Sequence, residues 1–479
     1  MSKLNSDILY LIFKELQNDK NTLYSCLSVN KTWCEIIIPI LWKNPWKYLK
    51  EGNEILLLDV IISHLSDESK NNLGQHFNFL INSYQKPLFN YIRFCKHLNI
   101  KAINWIIVNK LVIYLEYNHI KMLRNEIFNL FINENTIFTH LYIPYQFDYQ
   151  IHLIPGAERC FSEIKFLSCN TNINDNVLSG ITNMCKSIKK LEFFIEGDNN
   201  NYGIVKLIES QKRLSNIRFL PKSRYINKAY CKILENSLIK HSNTIEYFKM
   251  TRQPTTKFLL SFKNLKRLEL NNDFCSILTW NCLENLSLPL LRILRVRGIP
   301  INFLLSLIEN TNGSLIEIKI DNLSYDNINN NRIIQAIYQN CSNLKYLKLS
   351  LRNNDIKEFE NLLINCQYLD ELFIPVNSMD DTFYWDNLFN ILTKSSPTSL
   401  FKFKFSFKYN RAIKLESLKL FFDNWKGRHP ILLQIISSMI IENYYDLIEQ
   451  YMAEGTVKNY DCIYDSIQCN HTFKDFEWI

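Results

Sequence analysis

Apolar residues recur along the later two thirds of this chain in one motif, apolar-x-x-apolar-x-apolar, and the stretches between copies keep helical spacing. Copies start at Phe161 (with Ile164 and Phe166), Ile188 (with Leu191 and Phe193), Leu214, Ile245, Leu265 (with Leu268 and Leu270), Leu291, Leu315, Leu344 (with Leu347 and Leu349), Leu369 and Leu400, and a last one at Leu415. Starts from 161 to 400 lie 20 to 31 residues apart. Alternation inside the motif predicts a strand with one buried face. The spacing after it predicts helices over 176–184, 202–208, 230–239, 301–308, 333–338, 359–364 and 388–392. Near 283–296 two registers fit, because Leu283, Leu286 and Leu288 repeat the motif that Leu291 begins. A unit with one apolar strand face and one apolar helix face can bury them only against its neighbours, so the pattern predicts stacked units.

The first 46 residues follow a different pattern. Asn5 or Ser6 can cap a helix in which Leu9, Phe13 and Leu16 share a face, with Ile8 and Ile12 adjoining. Thr22 to Val29 makes a second helical turn and Thr32 to Ile38 a third, stopped by Pro39 and followed by Leu41 and Trp42. So short a piece cannot bury all its apolar surface by itself, and what is left over calls for a partner. Residues 47–158 keep helical spacing without an alignable repeat. Their longest apolar runs, 55–62 and 103–115, are broken by Asp59 and by Asn109-Lys110, short of the ~18 residues of a membrane span.

Composition narrows the function classes. Of 479 residues, 47% are hydrophobic and 21% charged, as in ordinary globular chains. Only 10 glycines occur, none followed by lysine and none in a Gly-x-Gly, which removes the phosphate-cradling loops of nucleotide enzymes. A net charge of +8 is mild for this length and argues against a dedicated nucleic-acid or membrane binder. Thirteen cysteines without a Cys-x-x-Cys pair point to reduced thiols, hence a cytoplasmic or nuclear protein. Asp7 and Glu15 inside the first apolar stretch argue against a secretory signal. The nine histidines make no zinc spacing, and the grouping of Cys462, Cys469 and His471 matches no finger. No metal, cofactor or catalytic residue is therefore expected. An enzymatic site within 47–158 is the alternative from a different class.

The repeat resembles leucine-rich repeats of the long, helix-bearing kind, and Cys185, Cys341 and Cys366 stand where such repeats often place a cysteine before the strand. The opening segment resembles an F-box. Leu4, Ile8-Leu9, Ile12-Phe13, Leu16, Leu23, Leu27-Ser28-Val29-Asn30-Lys31, Trp33 and Leu41-Trp42 keep that family's order and spacing, with Asn5 where the family usually has proline. Together with Asn424-Trp425-Lys426-Gly427-Arg428, the arrangement is similar to the expanded F-box proteins of certain fungi. The resemblance implies an α/β chain with an F-box at 1–46, a helical connector at 47–158, a leucine-rich-repeat solenoid with a curved parallel sheet at 159–420, and a C-terminal cap at 421–479. It further implies a non-catalytic substrate receptor of a Skp-cullin-F-box ubiquitin ligase. Leu4, Ile8, Leu9, Ile12, Phe13, Leu16, Leu23, Leu27, Val29, Trp33, Leu41 and Trp42 would then meet the small adaptor, and the repeats would hold a protein substrate. The alternative is a stand-alone interaction scaffold with no ligase role.

The residue between the second and third apolar positions of each copy points away from the buried face. That column reads Lys165, Glu192, Arg218, Lys249, Glu269, Arg295, Lys319, Lys348, Phe373, Lys404 and Lys419, and eight of the eleven are basic. Rows of like charge a strand spacing apart repel each other unless something anionic neutralises them. The column, with Arg218, Lys249, Arg295, Lys319, Lys348, Phe373 and Lys404 as its substrate-contacting set, therefore predicts an acidic or phosphorylated partner. The other reading is that the lysines only keep the strands soluble. Neighbouring Glu163, Glu317 and Glu371 can pair with some of them.

Overall fold

The structure, a computed structural model, describes residues 5–47, 49–74, 87–111, 117–197, 201–222, 227–272, 280–321, 327–376, 383–407, 412–437 and 442–464. They divide into two compact units between His241 and Ser242.

The first unit opens with three helices, α1 (Ser6–Glu15), α2 (Lys20–Leu27) and α3 (Lys31–Trp42). Each has its orphan backbone N–H groups capped by a side chain. Asn5 accepts from the Asp7 N–H at 3.2 Å, Asp19 from Thr22 at 3.1 Å, and Asn30 from Trp33 at 2.9 Å. The third helix runs through Pro39 to Trp42 instead of stopping. Proline forfeits one backbone hydrogen bond, while Ile40 and Leu41 on the turn beyond it pack against the core of the three helices.

Beyond them come strands β1 (His97–Asn99), β2 (His140–Tyr142), β3 (Phe166–Asn170), β4 (Lys190–Ile195) and β5 (Asn216–Pro221), paired parallel in chain order. Leu98, Leu141, Leu167, Leu191 and Ile217 stand in register as a buried row. Between successive strands run helices such as Ile100–Leu111, Asp175–Met184 and Gly203–Ser210, as stacked units require.

The second unit continues the same construction with β6 (Tyr247–Met250), β7 (Arg267–Asn271), β8 (Ile293–Arg297), β9 (Glu317–Asp321), β10 (Tyr346–Lys348), β11 (Glu371–Val376), β12 (Lys402–Phe407), β13 (Ile431–Ser437) and β14 (Val457–Tyr464). Neighbours in that order pair parallel. Helices Ile301–Glu309, Asn327–Asn340, Ile356–Asn365 and Trp385–Ser395 cover the expected segments.

Several sequence expectations need correction. The segment 47–158 is not purely helical, since it supplies β1 and β2. The copy begun at Phe161 is slipped by three residues: Ile164, Leu167 and Cys169 are fully buried, Phe161 belongs to a short helix Ala157–Phe161, and Phe166 lies on the other face, half exposed. The copy at Leu415 is a helix, Leu415–Trp425, because Leu418, Phe421, Phe422 and Trp425 continue at helical spacing while Leu420 faces solvent. Near 290 the Leu291 register holds, with Leu294 and Val296 on the buried side of β8. The segment after 420 adds β13 and β14 to the sheet; residues 465–479 lie outside the described residues.

Candidate interaction site

The three helices enclose a core too small for their apolar content. Leu9, Phe13, Leu23 and Ile37 fill it, with Leu16, Leu27, Trp33 and Leu41 partly buried around them. Phe13 meets the edge of Trp33 at 5.1 Å between ring centroids. Leu9, Phe13 and Leu23 are thus used up inside the cluster, a correction to their expected place on a docking surface. Ile8 and Ile12 remain 47% and 44% exposed, Leu11 59% and Val29 55%. Ile8, Leu11 and Ile12, at spacings of three and four, form one exposed apolar stripe on α1. Leu11 was not singled out in the sequence, although its spacing gives it away. Leu4 lies outside the described residues. Trp42 is also used elsewhere, packing on Tyr91 at 4.6 Å, and the Trp46 indole donates to the His97 carbonyl at 2.8 Å.

The column of the second unit stands in register as Lys249, Glu269, Arg295, Lys319, Lys348, Phe373, Lys404, Gln434 and Asp461. Lys419 is absent from it, being on the helix Leu415–Trp425. Most of these side chains, expected to face solvent, are buried: Glu269 and Lys319 are each 3% exposed and Lys404 4%. Two layers of contacts cover them. Glu269 gathers Lys249 at 3.2 Å, Arg295 at 3.6 Å and Arg267. Glu317 takes Arg295 at 2.7 Å and Lys319 at 3.4 Å, Asp321 takes Lys348, and Glu371 takes Lys402. Aromatic faces supply the rest, with Lys319 over Tyr346 at 4.6 Å and Phe373 between Lys348 at 4.7 Å and Lys404 at 4.9 Å. Burial pushes the Glu269 carboxyl up, but Lys249, Arg267 and Arg295 outweigh it and hold it below the usual carboxylate range. Burial pulls the Lys348 ammonium down, against the support of Asp321. The charge surplus read from the column is therefore largely met by the protein's own acids and rings.

The corresponding face of the first unit is built otherwise. Its column is Asn99, Tyr142, Ser168, Glu192 and Arg218, so Lys165 is not a member. Glu192 accepts from Ser168 at 2.8 Å and pairs with Arg218 at 3.2 Å, whose side chain is 44% exposed. The next row is His97, His140, Phe166 and Lys190. The two imidazoles stack, with centroids 3.7 Å apart and planes within 11°. Burial holds His97 down to about 3, helped by His140, Lys43 and Lys47, and holds His140 down to about 4, helped by Lys190 and Lys43. At neutral pH this patch is uncharged and aromatic, with lysines at its border.

Cysteines are structural here. Cys95, Cys169, Cys185, Cys341 and Cys366 are buried, and burial pushes each thiol up to about 12. Cys469 and His471 lie outside the described residues. Among the described residues no helix is long and apolar enough to cross a membrane.

No family model and no curated protein matches this chain. Among solved structures, the leucine-rich repeat-containing protein LegL7 from Legionella pneumophila is similar at 12% identity, with 63% of this chain and 84% of that one covered and a TM-score of 0.31. At that TM-score the fold rests on the strand pairing itself.

Proposed function

We propose that this chain is a non-catalytic receptor whose three-helix cluster, an F-box by its sequence pattern, docks the small adaptor of a Skp-cullin-F-box ubiquitin ligase while the strand-helix repeats hold a protein substrate. The observation that carries the reading is the stripe of Ile8, Leu11 and Ile12 with Val29, left exposed on a cluster whose interior is already full. Truncating a central anchor of such an interface costs at least about 2 kcal/mol. The buried thiols suit a reducing compartment, so the reading places the protein in cytoplasm or nucleus. The test is a binding titration of the adaptor against wild type, Ile8→Asp and Ile12→Asp. Both variants are expected to lose binding at least tenfold without a change in unfolding midpoint. Equal affinities would leave a scaffold without a ligase role.

A further inference from the structure

The sequence column pointed to an anionic partner for the second unit, where acids and aromatic rings already occupy the cations. The first unit holds cations that nothing occupies. Lys43 and Lys190 are exposed, and their side chains make no hydrogen bond or ion pair among the described residues. Both act electrostatically on His140, and Lys43 on His97 as well. No carboxylate acts appreciably on either imidazole, and Glu192, two strands from His140, is already held by Ser168 and Arg218.

The hydrogen bonds decide what this patch can accept. Thr139 donates its hydroxyl proton to the Lys96 carbonyl at 3.2 Å and lies 2.9 Å from His140 Nδ1. The threonine oxygen therefore accepts, Nδ1 carries the ring proton, and Nε2 keeps its lone pair. His97 Nδ1 is 3.5 Å from the Tyr142 hydroxyl. A lone pair beside a second imidazole suggests a metal ion, but the lysine charges repel one, and among the described residues no three metal-binding side chains gather. An anion meets the charge requirement. A carboxylate, ionised at neutral pH, brings no proton for Nε2. A phosphate monoester is a dianion with a second ionisation near ~6, so it both offsets two ammonium groups and can share a proton with an imidazole.

We propose that the His97–His140 stack, bordered by Lys43 and Lys190, is a docking point for a phosphate monoester carried on a protein partner. The partner's being a protein rests on the receptor reading above; the chemistry of the site does not. The bound dianion cancels the like charges that keep the imidazoles neutral, so one ring takes up a proton at Nε2 and donates it to a phosphate oxygen. Binding is thus coupled to proton uptake from solvent.

The test is calorimetric titration of the full chain at pH 7.5 with the peptide Gly-Gly-phosphoserine-Gly-Gly, in two buffers of different ionisation enthalpy. The same peptide with serine or glutamate at its centre is titrated alongside. The expected result is saturable binding of the phosphopeptide alone, with a heat that depends on the buffer. Lys43→Ala with Lys190→Ala should weaken it more than tenfold, and Lys263→Ala, elsewhere on the surface, should not. His97→Gln with His140→Gln should abolish the buffer dependence. No saturable heat, equal binding of the glutamate peptide, or indifference to the lysine pair would overturn the site. Adaptor capture, measured on the same preparations, separates the two readings. Capture retained without phosphopeptide binding removes this site only, and phosphopeptide binding without capture removes the ligase reading only.

Discussion

The two units use the same strand, with the same alternation, to opposite electrostatic ends. In the second, cations and acids sit within one sheet face, and Glu269 alone serves three cations from three strands. In the first, the face holds one exposed pair, Arg218 with Glu192, and a neutral histidine stack whose lysine neighbours have no acid nearby. A basic residue count cannot distinguish these cases, because it does not record which strand neighbour lies across from each cation. Burial is the second difference: an ion pair out of water is costly to break, while an exposed pair is nearly free.

The comparison breaks most easily at Glu269. Glu269→Gln strands buried Arg295 without one of its partners and crowds it against Lys249 and Arg267, and should destabilise the second unit by about 3–5 kcal/mol in denaturant unfolding. A loss under about 1 kcal/mol would mean the buried network does not form.

Next in size is a pH effect confined to the first unit. His97 and His140 are held at about 3 and about 4 when folded, against 6.5 when free. As pH falls below about 6.5 the unfolded chain binds protons that the folded chain refuses, so stability declines between pH 6.5 and 4 and levels off below about 3. The charged and titratable groups around the pair are Lys43, Lys47, Lys190 and Tyr142. His97→Gln with His140→Gln should flatten that decline in unfolding curves taken at several pH values.

Smaller still, Glu192→Gln removes only a pair with a half-exposed arginine and should cost about 0–1 kcal/mol, the first unit's counterpart to Glu269→Gln. Smallest are Lys165→Glu and Lys419→Glu, which lie outside the column and should shift the unfolding midpoint within about 0.5 kcal/mol. A larger effect from either would put the column back where the sequence first suggested.

Most of the strands were legible because three apolar positions at fixed spacing leave few alternatives. Two were missed although they carry the motif in full, as Cys95-x-x-Leu98-x-Ile100 and Phe138-x-x-Leu141-x-Ile143. The 43 residues from His97 to His140 exceed the period set by the later copies, so a search by spacing passes over them. At Phe161 and Leu415 the motif matched in the wrong place, since both helix and strand put apolar residues three apart. The histidine stack was invisible for another reason: it depends on the β1–β2 register, which no local pattern specifies. The apolar stripe of α1 was half legible, because periodicity names a face but not which side of it the other two helices will cover.

The two tryptophans that close the three-helix cluster have a mechanical consequence. Trp42 is seated on Tyr91, Trp46 is tied to the His97 carbonyl, and the Lys43 carbonyl accepts from Lys96 at 2.9 Å, so the chain passes from cluster to strands without slack. Handle and grip of the first unit then move as one lever. Whatever is bound at one end is presented at a fixed offset from the other, and a tether's search over a spread of distances is avoided. Trp46→Ala should convert the lever into a hinge, with faster hydrogen exchange in His97–Asn99 as its signature.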